Sequence, residues 1–111
     1  MTPLVKQITA AEAAVMLEEL GPKNCQLLDV REDQEVAIAA VATALHIPMG
    51  EVESRISELD HDKTIIVMCH AGGRSNFIAQ KLADNGFTRL CNIVGGIDAW
   101  STEVDGTVPR Y

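Results

Sequence analysis

Thr64-Ile65-Ile66-Val67-Met68-Cys69-His70-Ala71-Gly72-Gly73-Arg74-Ser75-Asn76-Phe77-Ile78-Ala79 is the stretch on which the reading of this chain turns. An apolar, β-branched run ends in a cysteine, two glycines follow, and then a segment with helical spacing begins. The run is short, as expected of a strand buried on both faces. Gly72 and Gly73 permit positive φ and expose bare backbone. Ser75 is expected to cap the helix that follows, with Phe77, Ile78 and Leu82 as its apolar side and Asn85-Gly86 as its stop. Strand, tight loop, helix is the predicted order.

That order makes an anion site with a thiol inside it. Successive N–H groups of a glycine-bearing turn converge on one point, and the helix N-terminus adds the positive end of its dipole. Arg74 adds a full charge with fork geometry. Such a field favours the thiolate, and comparable settings carry a thiol from about 8.5 down to roughly 3.5–7.5. Cys69 is therefore the candidate nucleophile. The competing reading is that a lone cysteine at a strand end is a small buried hydrophobe, which is the commoner fate of the residue type. The Cys-x4-Arg-Ser spacing with an internal Gly-Gly, placed after an apolar run, tips the balance to chemistry.

Cys69-His70-Ala71-Gly72-Gly73-Arg74-Ser75 resembles the active-site loop of the rhodanese family, the thiosulfate and related sulfurtransferases. Other pieces agree in order. Leu27 to Glu32 resembles the family's first patch and Leu45-His46-Ile47-Pro48 its second. Gly86-Phe87 and Asn92 to Trp100 resemble its closing segment. The resemblance covers Ile8 to Trp100. It implies that Cys69 is catalytic, that His70, Ala71, Gly72, Gly73, Arg74 and Ser75 form the substrate-binding loop, and that an Asp29-x-Arg31 pair braces this loop, with Asp29 pairing Arg74 or Arg31. By residue type alone Asp29 suits equally a cap for the next helix. Its place at a strand's carboxyl end is where open α/β sheets put their sites.

One segment departs from the family. Ala39-Ala40-Val41-Ala42-Thr43-Ala44 stands where the usual pattern is Gly-His-Ile-x-Gly-Ala, while Glu35 keeps the acidic position before it. The departure puts the backbone path of this loop in doubt. It removes no group that attacks or leaves.

Composition narrows the class. At 111 residues the chain fits one domain with a single proper core, 47% apolar and poor in aromatics. A net charge of −7 disfavours nucleic acid and anionic membrane as partners. No apolar run approaches a membrane span. Met1 to Lys6 lacks a basic region followed by a long apolar stretch, so no signal peptide is expected, though a form cut from a longer secreted precursor stays open. Three cysteines without metal-like spacing suit a reducing cytoplasm. No cofactor or metal is expected. His46 reads as structural, and Asp60-His61-Asp62-Lys63 as a polar turn lacking a full ligand set.

Outward from the centre, a short strand from Leu4 to Ile8 precedes a capping box, Thr9-Ala10-Ala11-Glu12, and a helix from Ala10 to Leu20. Its apolar positions are Ala13, Val15, Met16, Leu17 and Leu20. Cys25 to Val30 reads as a buried strand with an inert Cys25. Glu32 to Ile38 is a short helix or turn, and Leu45 to Ile47 a short strand. Val52 to Leu59 is predicted as an amphipathic helix with Val52, Ile56 and Leu59 inward. Thr88 to Val94 is a strand containing a buried Cys91. Gly95-Gly96 turns into a helix from Ile97 to about Glu103, with Trp100 as a core anchor. Residues 103–111 form a tail that lies over the surface or frays. Alternating strands and helices imply one α/β domain, a mainly parallel central sheet with helices on both faces.

The expected activity is sulfur transfer from thiosulfate or a persulfide donor to a thiol or cyanide, through a Cys69 persulfide, alone or with a protein relay partner. Two alternatives compete. A phosphatase or arsenate reductase of related fold also uses Cys-loop-Arg, but with a longer loop; the four residues between Cys69 and Arg74 suit the smaller sulfur centre. A non-enzymatic binding module would need neither Cys69 nor Arg74.

Overall fold

The structure, a computed structural model, describes residues 5–111. Its elements run β1 (Lys6–Ile8), α1 (Ala10–Leu20), β2 (Cys25–Asp29), α2 (Asp33–Ile38), β3 (Leu45–His46), β4 (Thr64–Met68), α3 (Gly73–Asp84), β5 (Leu90–Ile93) and α4 (Gly96–Glu103). Leu4, expected to begin the first strand, lies outside the described residues. All pairings are parallel, in the order β1-β5-β4-β2-β3, so the apolar run that ends in Cys69 is the central strand. The expected α/β architecture is what the chain forms.

Strand alternation sorts the core into two layers. Leu28, Ile65, Val67 and Leu90 face α3, packing on Ile78, Ala79, Leu82 and Ala83 together with Val52, Leu59 and Phe87. Ile8, Leu27, Ile66, Met68, Cys91 and Ile93 face the other side, where α1 supplies Ala10 and Ala13 and α4 supplies Ile97 and Trp100. Trp100 is buried, as a core anchor should be.

The capping box forms: Glu12 N–H donates to Thr9 Oγ1 at 3.0 Å, and Thr9 N–H to Glu12 Oε1 at 2.9 Å. The face of α1 differs from the expected stripe. Ala10 and Ala13 are its buried residues, and Val15 and Leu20 are exposed. Two alanines let the helix approach the sheet closely, which leaves longer side chains at the margin. Phe77 is likewise exposed, because α3 turns Ile78 and Leu82 to the sheet instead. Its ring lies under Lys81, whose Nζ is 5.5 Å from the centroid.

Residues 52–59 do not form the expected α-helix. Two short 3₁₀ turns, Met49–Glu51 and Ile56–Glu58, take its place. Ser54 Oγ donates to the Glu51 carbonyl at 3.0 Å, the local competition by which serine disfavours helix interiors. Val52 and Leu59 still reach the core, while Ile56 is only partly buried.

The segment 39–44 needs no glycine. No described residue other than glycine has positive φ, and the loop closes on an Ala44 N–H to Val41 carbonyl bond of 3.0 Å. The tail packs back over the domain. Val108 is buried, and Ser101 Oγ donates to its carbonyl at 2.6 Å. Arg110 pairs with Asp98 at 2.8 Å, and the chain then carries Tyr111 back over the loop that follows β4.

Candidate active site

Cys69 leaves the carboxyl end of the central strand and faces the start of α3. The Gly72 N–H donates to its Sγ at 3.0 Å, and Ser75 Oγ lies 3.3 Å from the same sulfur. Burial pushes the Cys69 thiol up. Hydrogen bonds from the Ser75 hydroxyl and from the Ser75, Gly72 and Ala71 amides outweigh it, so the pKa falls below that of an ordinary thiol. The residue is only 2% exposed, yet the amides of the turn are aimed at its sulfur. Cys25 and Cys91 are also buried, and burial raises both, with no such donors to offset it.

Carbonyls of the loop are pinned outward, which is what turns its amides inward. The Gly95 N–H holds the Ala71 carbonyl at 3.1 Å, the Ile97 N–H that of Cys69 at 2.9 Å, and the Asp98 N–H that of His70 at 3.2 Å. The last two donors belong to the first turn of α4, whose N–H groups have no partner within their own helix. This fit requires Gly96. At φ +55° a Cβ there would stand 2.5 Å from the His70 carbonyl oxygen and closer still to that of Cys69. Gly72, at φ +116°, caps α3 in the left-handed region, against the Ile93 carbonyl.

Ser75 is therefore not the helix cap. It lies within the first turn, fully buried, with its hydroxyl turned toward Cys69 and Asn92. Asn92 is the polar residue of β5 behind the loop, and its Nδ2 donates to Gln7 Oε1 at 2.8 Å. Asn92 entered the sequence reading only as the first residue of the closing segment, with no role at the site, and Gln7 carried no signal beyond being a polar residue in an apolar strand.

Arg74 does not offer its fork to an anion in the cradle. Its Nη1 and Nη2 donate to Glu35 Oε1 and Oε2 at 2.6 and 2.8 Å, a bidentate pair. The Arg74 hydrogen bonds, aided by the Glu32 backbone and Tyr111 against a burial penalty, hold the Glu35 carboxyl at about 2. The loop thus aims an amide and a hydroxyl at Cys69 Sγ, beside a cation already paired with Glu35. Glu35 is the site residue that sequence reasoning left aside; its acidic position in the family pattern was the available signal.

Asp29 pairs with Arg31, not Arg74. Arg31 is fully buried, and its Nη2 lies 2.6 Å from Asp29 Oδ2. The same guanidinium donates to the Ala39 carbonyl at 2.8 Å, the Glu35 carbonyl at 3.3 Å and Tyr111 Oη at 3.0 Å. It clamps the end of α2, the helix that carries Glu35, and so reaches Arg74 at one remove. His46 Nε2–H donates to the Arg31 carbonyl at 2.6 Å. His70 stacks on Tyr111 with centroids 4.2 Å apart and 12° between planes, and Tyr111 Oη donates to Glu35 Oε2 at 2.8 Å.

A pocket of about 270 Å³ lies against the loop, lined by Gln7, Ala71, Gly72, Gly73, Asn76, Asn92 and Val94. A larger one, about 400 Å³, lies between 40–43 and the tail and includes no residue of the loop. Among the described residues no group of three His, Cys, Asp or Glu could hold a metal ion, and no helix is long and apolar enough to cross a membrane.

A parallel sheet whose central strand delivers a cysteine into an amide cradle defines the class: an α/β domain built around a Cys-loop at a helix N-terminus. Residues 9–103 match the family model described as Rhodanese-like domain, and the chain belongs to that family. It is 35% identical over 99 residues to "Putative sulfurtransferase YtwF" of Bacillus subtilis, covering 89% of this chain and 93% of that one. It is 36% identical over 83 residues to "Putative sulfur carrier protein YrkF" of the same organism, covering 75% of this chain and 45% of that relative. Among solved structures, a rhodanese-like domain protein from Staphylococcus aureus superposes with a TM-score of 0.81 at 29% identity, over 96% of this chain and 99% of the other.

Proposed function

We propose that this protein is a sulfurtransferase that carries sulfane sulfur on Cys69. The observation that carries the reading is the convergence of the Gly72 amide and the Ser75 hydroxyl on Cys69 Sγ at the N-terminus of α3. Relatives named as sulfurtransferases support the same reaction class.

The steps balance without an outside oxidant. The Cys69 thiolate attacks the outer sulfur of thiosulfate or of a persulfide. A new S–S bond forms, the donor's S–S bond breaks, and its electron pair leaves with sulfite or with the donor thiolate. The Cys69 persulfide anion occupies the same amide cradle, which suits a charge spread over two sulfurs. An acceptor thiolate or cyanide then attacks the terminal sulfur and returns Cys69 as thiolate. No general base is needed where the thiol is already ionised. Enclosure of Cys69 shields the persulfide from stray reaction.

The three cysteines are free and buried, which fits work in a reducing compartment such as the cytoplasm. A protein relay partner fits the likeness to a named sulfur carrier. The test is intact mass spectrometry after incubation with thiosulfate, followed by peptide mapping and a panel of donors. One added sulfur on Cys69, absent from Cys69→Ser, is the expected result. Addition at another residue, or none with any donor, overturns the proposal. Turnover of an aryl phosphate in place of sulfur transfer would point to the phosphatase reading.

A further inference from the structure

Ser75 has one hydroxyl hydrogen and three acceptors around it. Its Oγ lies 2.5 Å from Asn92 Oδ1, 3.1 Å from the Gly72 carbonyl and 3.3 Å from Cys69 Sγ. Both side chains are buried, Ser75 at 0% and Asn92 at 3% exposure; the Gly72 carbonyl also accepts the Asn76 N–H at 3.1 Å and Cys69 Sγ the Gly72 N–H at 3.0 Å, whereas Asn92 Oδ1 takes its hydrogen from Ser75. Two oxygens at 2.5 Å need a hydrogen between them, and the amide oxygen has none.

Turning the Asn92 amide over would hand Ser75 a donor only by setting the amide oxygen against two acceptors. Its Nδ2 donates to Gln7 Oε1 at 2.8 Å and to the Gly72 carbonyl at 3.3 Å. Reversed, its oxygen would face that carbonyl. Gln7 continues the chain, with Nε2 donating to Asn76 Oδ1 at 2.8 Å. Every link therefore donates outward, from Ser75 through Asn92 and Gln7 to the surface.

We propose that Asn92 is a positioning residue that competes with Cys69 for the Ser75 hydrogen and so limits how readily the sulfur ionises. With the hydrogen on Asn92, the lone pairs of Ser75 face the sulfur, which suits an S–H donor and opposes a thiolate. A thiolate gains the hydrogen only when Ser75 releases Asn92. The inference deepens the reading of Cys69 as the reacting thiol and rests on it for its catalytic consequence. The other charged or titratable groups around the loop are Arg74 with Glu35, His70 and Tyr111 above it, Asp98 at the start of α4, and the Asp29–Arg31 pair on the β2 side. Replacing Asn92 by an uncharged residue alters none of these charges.

The experiment is the pH dependence of Cys69 carbamidomethylation by iodoacetamide, resolved by peptide mass spectrometry. Asn92→Leu keeps the bulk and removes the acceptor. Its profile is expected to move to lower pH by about half to one unit, the scale of one hydrogen bond. Asn92→Asp offers a stronger acceptor and is expected to move the profile up. In a Ser75→Ala background the Leu shift should vanish and the Asp shift should shrink. An unmoved or raised Leu profile, or shifts of equal size without Ser75, overturns the proposal. If Asn92→Leu fails to fold, the Asp pair with and without Ser75 decides alone. Alkylation reads the thiol whether or not sulfur is transferred, so failure here and failure of the sulfurtransferase reading are separable.

Discussion

At the scale of single residues, three thiols of one chemical kind are made different by their donors. Cys69 receives amides and a hydroxyl, whereas Cys25 and Cys91 receive apolar neighbours. Cys69→Ser should drop sulfur transfer to the uncatalysed background. Cys25→Ser and Cys91→Ser should leave turnover intact while each costs about 1–3 kcal/mol of stability, because a hydroxyl is buried without a partner; thiosulfate assays beside urea melts check both. Glu35 makes a pH prediction. Its folded pKa of about 2 lies below the ordinary carboxylate value of about 4.3, so its contribution is complete above about pH 5 and lost as pH falls toward 2. Glu35→Gln should be less stable than wild type at pH 7, with the gap narrowing below about pH 5 and closing as pH falls toward 2. Urea midpoints across that range measure it, and a gap independent of pH would contradict the assignment.

Elements act on the site through their ends. Two helix N-termini meet at the loop: that of α3 gives its amides to sulfur, and that of α4 ties down the loop's carbonyls. Gly96 is the hinge of the second arrangement. Gly96→Ala forces a Cβ into the carbonyls of Cys69 and His70 and a left-handed φ on alanine. The backbone strain alone is about 1–3 kcal/mol, and displacement of the loop by an ångström is expected to lower sulfur transfer by about a hundredfold. Thiosulfate kinetics with a parallel thermal melt separate the two effects. Gly106, where an added Cβ meets open space, is the matched control. A Gly96→Ala protein with normal turnover would show that the loop does not depend on α4.

Over the whole molecule, distant parts of the chain close on one point. Tyr111 stacks on His70 and bonds to Arg31 and Glu35, joining the tail to the loop, the segment after β2 and α2. A double-mutant cycle of Tyr111→Ala with His70→Ala should return a coupling of about 0.5–1.5 kcal/mol in urea unfolding; a coupling of zero would deny the stack. The sequence by itself determined the alternation of strand and helix, the central apolar run, the capping box at Thr9 and the cysteine in a glycine turn. Each is a local pattern, set by spacing within a few residues. It misjudged Ser75 as a cap, Phe77 and Val15 as core and residues 52–59 as a helix, and it did not foresee the pairing of Arg74 with Glu35. Only the tertiary structure decided those, because burial, hydrogen-bond partner and charge depend on which remote segments arrive nearby. Glu35 reaches Arg74 across 39 positions and Tyr111 reaches Glu35 across 76. No periodicity encodes such meetings; they follow from the parallel order of the strands and the crossovers that order demands.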